Sequence, residues 1–135
     1  MSKIVDFDSL IEAAKKEPQP QEFLFVFLRS VLPENATPSQ IQKFHKNEGG
    51  MLLPIMQVHK SVDELSSFKD LVDESLTYSE EWQIVLTGCL SGLNGQRPEG
   101  EIINEHLNTM IDSVKKGLSL SKYLAFNRDG VPLFF

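Results

Sequence analysis

The spacing of apolar residues changes period several times along the chain, and each change predicts an element. From about Asp6 to Glu17, Phe7, Leu10, Ile11 and Ala14 recur at helical spacing, with Asp6 placed as a cap. Pro18 and Pro20 stop that helix, because proline lacks the amide donor and constrains its predecessor. The run Phe23 to Leu28 then alternates Phe23, Phe25 and Phe27 with Leu24, Val26 and Leu28. Apolar on both faces, it reads as a central strand covered on both sides.

Thr37-Pro38-Ser39-Gln40 predicts a helix start, with Thr37 capping, proline in the first turn and Gln40 completing a capping box. This helix carries Ile41 and Phe44 and ends at Gly49-Gly50. Met51 to Val58 reads as a second strand, and Pro54 within it predicts an edge position or a bulge. Ser61-Val62-Asp63-Glu64 is a second capping box, opening a helix with Val62, Leu65, Phe68, Val72 and Leu76 on its buried side. A third strand follows at Gln83 to Leu90, then the glycine-rich segment Ser91 to Gln96. A long helix spans about Glu99 to Lys116, with Gly117 as its terminator. Tyr123–Phe126 and Val131–Phe135 flank Asn127-Arg128-Asp129-Gly130, a hairpin signal.

The expected architecture is a single α/β (or α+β) domain over residues 1–135. It has one mixed sheet of about five strands, four helices and a C-terminal β-hairpin. Helical crossovers predict parallel neighbours among the first three strands. Four helices leave part of the sheet uncovered, which predicts a homodimer.

Composition narrows the partners. The net charge is −6 and the 13 basic residues are scattered, in pairs no larger than Lys15–Lys16 and Lys115–Lys116. Nucleic-acid binders derive most of their affinity from basic patches, so nucleic acid is not an expected partner, nor is a membrane surface. Cys89 is the single cysteine, which excludes an intramolecular disulfide. Neither a signal-peptide layout at Met1–Asp8 nor a bilayer-spanning apolar run is visible, so a cytoplasmic location is expected.

The glycine-rich loop is the most suggestive chemistry. Placed between a strand and a helix, Gly92 and Gly95 would let backbone amides approach an anion, with Arg97 supplying charge. Against this, neither GxGxxG nor GxxxxGK[ST] occurs, and Glu99 and Glu101 sit where an anion would dock. As a plain connector, the loop would tolerate Arg97→Glu with only the small change of a surface substitution. Cys89 near a strand end is a candidate reactive thiol, set against the commoner role of a small buried hydrophobe. His45, His59 and His106 show no metal spacing, so neither metal nor cofactor is expected. Asp63-Glu64, Asp70, Asp73-Glu74 and Glu80-Glu81 read as a wet helix side or an acidic face for a basic partner.

Phe23 to Phe27, Leu32-Pro33 with Ala36-Thr37-Pro38, Glu48-Gly49-Gly50 and Tyr123 to Arg128 together carry a resemblance over nearly the whole chain. It is to a family of short bacterial proteins often labelled ribonucleotide reductase subunit alpha. These are structural signatures and imply no catalytic residues. A reductase large subunit resembles a long barrel enzyme needing a radical cysteine, a redox cysteine pair and nucleotide sites; a 135-residue chain with one cysteine cannot hold that set, and no catalytic residue of that enzyme carries over. The leading expectation is a non-catalytic interaction or regulatory module that self-associates, with an unidentified protein as a further partner. The alternative is a small-molecule or anion-binding protein, even an enzyme, using the loop at 92–100.

Overall fold

The alternation seen at Phe23–Leu28 places its two apolar sets on opposite faces of a strand, and the fold is built around that division. A computed structural model describes residues 6–31, 35–45, 51–79 and 81–134. The elements run α1 (Phe7–Lys15), β1 (Gln21–Val31), α2 (Pro38–His45), β2 (Met51–Ser61), a 3₁₀ turn (Val62–Glu64), α3 (Phe68–Leu76), β3 (Ile84–Ser91), α4 (Gly100–Lys115), β4 (Leu124–Asn127) and β5 (Pro132–Leu133).

The strands form one sheet in the order β2-β1-β3-β4-β5, with β1 inside it as expected. Every pairing is antiparallel. The expected mixed sheet is therefore corrected: β1 and β2 are antiparallel neighbours in spite of the helix between them. The β2–α3–β3 connection does join strands of one direction, but β1 lies between them.

Phe23, Phe25, Phe27, Val85 and Phe126 face α1 and α3, and Trp82 closes this aromatic layer against Phe27, their ring centroids 5.0 Å apart. Leu24, Val26, Leu28 and Leu86 face Ile103, Leu107, Met110 and Val114 of α4. Full burial of each large apolar side chain contributes about 1.5–3 kcal/mol. Among the described side chains this cover comes from α1, α3 and α4; none from α2 enters either core layer, Ile41 is exposed, and the Phe44 side chain lies outside the described residues. Both faces of β1 are covered within the chain from Gln21 to Leu28.

Local signals explain most boundaries. Asp6 caps α1 by accepting from the Ser9 amide at 2.8 Å. Pro38 opens α2, where the Ile41 amide donates to the Thr37 carbonyl at 3.0 Å; Gly49-Gly50 lies outside the described residues. β2 is an edge strand with a register shift opposite Phe27/Leu28, the outcome Pro54 predicted. The Ser61–Glu64 capping box forms, but it caps only the 3₁₀ turn. A second cap, Ser67, starts α3, so the single helix expected there is two elements. Gly117, at φ +66°, ends α4: its amide donates to Val114 O and that of Leu118 to Ser113 O. The Asn127–Gly130 turn joins β4 to β5. Among the described residues no helix is long and apolar enough to cross a membrane.

Candidate functional site

Two polar clusters flank the edge of the sheet, and neighbouring residues of β2 place them. Successive strand side chains point to opposite faces. His59 lies opposite Leu24 on the α4 face, whereas Lys60 lies opposite Phe23 on the α3 face.

On the α4 face, Glu22 is a fully buried carboxylate at the start of β1. Arg97 donates to it from Nε at 3.1 Å and from Nη2 at 2.8 and 3.0 Å. His59 Nδ1 lies 2.6 Å from Glu22 Oε2. Glu64 stands 3.5 Å from Arg97 Nη2 and accepts from the amide and hydroxyl of Ser61, each at 3.0 Å. The hydrogen bonds to Glu22, and then its charge, push the Arg97 guanidinium above its ordinary range. The Ser61 hydrogen bonds hold Glu64 below the usual carboxylate range. A buried carboxylate is tolerable only with such partners, so the cluster ties β1, β2, the 3₁₀ turn and the α4 approach together.

The glycine-rich loop is a tight hairpin. Asn94 and Gly95 have φ of +53° and +76°, and Leu93 and Gln96 exchange both backbone hydrogen bonds. This is the two-residue turn that Asn-Gly favours. At Gly92 a β-carbon would stand far inside contact distance of the Gln96 carbonyl oxygen, so glycine there admits the loop's own backbone. The Gly92 amide donates to Pro20 O at 2.7 Å and the Gly95 amide to Gln19 Oε1 at 2.8 Å. Gly92, Gly95 and Arg97 are thus near one another in sequence and each engaged with the stretch entering β1.

Cys89 exposes part of its surface, but its Sγ donates to Gln21 Oε1 at 3.3 Å. Burial of the sulfur, with the charges of Glu17 and Glu22, pushes the thiol up to about 11. It is therefore protonated at neutral pH, contrary to what a reactive thiolate requires. His106 is exposed on α4, and no cluster of metal-ligating side chains exists among the described residues.

The α3 face holds a trough of about 230 Å³ between β2 and α3. Phe27 and Leu71 floor it, Met56 and Val58 wall it, and exposed Tyr78 stands at its mouth. At the rim Lys60 Nζ lies 3.0 Å from each carboxylate oxygen of Glu74. The Lys60 side chain is 15% exposed and that of Glu74 48%. A second groove of about 360 Å³ runs between β2 and α4, but its lining holds no buried side chain.

Sequence reasoning missed Glu22, His59, Lys60 and Glu74 as partners. Glu22 was readable as facing inward, two positions before Leu24 in the same alternation. The Asn94-Gly95 pair was the available signal for the hairpin. Comparison of the chain with protein-family models, curated proteins and solved structures returns no match.

Proposed function

We propose that this chain is a non-catalytic recognition module, regulatory or adaptor in kind, that receives its ligand in the trough between β2 and α3. The observation that carries this reading is an apolar cleft floored by core side chains, open at the sheet edge and bearing one ion pair at its rim. Apolar clefts with a few placed polar groups are the usual form of a binding site. The groups suited to acid–base work elsewhere, Glu22, His59 and Arg97, hold one another. An anion at Gly92–Arg97 would have to displace a buried carboxylate from its cation, which disfavours the loop as the binding site. The proposed setting is the bacterial cytoplasm, on the family resemblance and the single cysteine.

The test is a fragment screen read by NMR shifts on the whole chain. Perturbations gathered on Val58, Leu71 and Tyr78 support the trough. Perturbations gathered on 92–97 instead would transfer the function to the loop and sink this reading.

Self-association is a second reading, favoured by one observation: Leu124, Val131 and Phe134 are exposed in and beside the terminal strand pair, Phe134 at 93%. A homodimer through this end should dissociate in Phe134→Ser. Light scattering that gives a 15.3 kDa monomer for the wild type at micromolar concentration removes the idea.

A further inference from the structure

We propose that the trough takes a free α-amino acid with an apolar side chain, of leucine to phenylalanine size; this rests on the trough being the recognition surface. Size sets the first limit. A cavity of about 150 Å³ lined by apolar groups accepts benzene. The trough, at about 230 Å³, has room for one ring or a branched aliphatic group with a small polar head.

Charge sets the second. At the base of the trough the Ser75 hydroxyl is already engaged: it donates to Val72 O at 2.6 Å and accepts from Trp82 Nε1 at 2.8 Å. The rim offers one ammonium and one carboxylate side by side, Lys60 and Glu74. A ligand carrying only a carboxylate meets Lys60 but is repelled by Glu74. One carrying only an amine meets Glu74 but is repelled by Lys60. A neutral apolar compound covers the pair and removes its water without replacing it. A zwitterion exchanges one ion pair for two, its carboxylate on Lys60 and its ammonium on Glu74. Discrimination therefore comes from repulsion as much as attraction. Half-exposed Glu74 can turn to admit the head group, since a partly solvated pair is weakly held.

The experiment is an NMR titration of the whole chain with L-leucine and L-phenylalanine, beside 4-methylpentanoate and 3-methylbutylamine. Saturable shifts at Val58, Leu71 and Tyr78 are expected, with each amino acid binding about tenfold or more tightly than either single-charge control. Lys60→Met and Glu74→Gln should each lose that advantage while keeping the wild-type melting profile. Equal binding of a control, or no saturable amino-acid shift, overturns the proposal. If unrelated apolar fragments still shift the trough, only the amino-acid inference falls; if nothing binds there, the recognition reading falls with it.

Discussion

His59 and Lys60 are adjacent in sequence and both reach a glutamate, yet the two contacts differ in kind. His59 meets Glu22, which has no solvent exposure and is held on its other side by Arg97. Lys60 meets Glu74, which is half exposed and stands over an apolar trough. The first carboxylate cannot turn to water if a partner is removed, so its cluster is a fastening. The second can, so its pair is free to exchange partners. Burial of the acid, rather than the presence of an ion pair, separates the structural cluster from the candidate site.

The largest effect should follow from breaking the closed cluster. Arg97→Met leaves Glu22 buried and short of its main partner, so the urea midpoint should fall well beyond the range of a surface substitution. This replaces the expectation that position 97 is a tolerant connector. Adding Glu22→Met should recover much of the loss, because the buried charge is then gone. A double variant no more stable than Arg97→Met would show that Arg97 acts through something other than Glu22.

Breaking the open pair should matter far less to folding. Lys60→Met is expected to change stability by less than about 1 kcal/mol, as Glu74 turns to solvent. A larger loss in urea melts would move Lys60 into the fastening class.

Smaller still is the pH response of Glu64. Its carboxyl is lowered in the folded chain by Ser61, so its contribution is present above the unfolded value and lost as pH falls through the folded one. Ser61→Ala removes the hydroxyl bond and keeps the amide one, so the midpoint seen by carboxyl NMR should rise only part of the way to the ordinary range; an unchanged midpoint would leave the shift to the Ser61 amide with Arg97 and Lys60. Cys89 should react slowly with iodoacetamide at pH 7, the rate climbing as pH approaches about 11. Fast alkylation at neutral pH would contradict a desolvated, protonated thiol.

What was legible in the sequence follows from how local each signal is. The α1 cap at Asp6, the stop at Pro18 and Pro20 and the glycine end of α4 act within a turn, and those boundaries emerge close to their expected positions. Tandem caps at Ser61 and Ser67 misled, because apolar residues at helical spacing continue through the extended break between them. Strand direction was not legible: a helix between β1 and β2 suggests parallel neighbours, whereas packing returns β2 antiparallel. The site was hidden for the same reason. Glu22 meets His59 and Arg97, and Lys60 meets Glu74, only through sheet register and the placement of α3. Starting β1 at the first phenylalanine left Glu22 outside the strand that buries it.

The contrast between the two faces of β2 is tested most directly by thermal shift. Wild type, Lys60→Met and Arg97→Met are melted with and without saturating L-leucine, whose binding raises stability as RT ln(1 + [L]/Kd). Lys60→Met should melt like the wild type and lose the ligand-dependent rise; Arg97→Met should melt lower and keep it. A low-melting Lys60→Met that keeps the rise, or a wild-type-like Arg97→Met that loses it, would reverse the assignment of fastening and site.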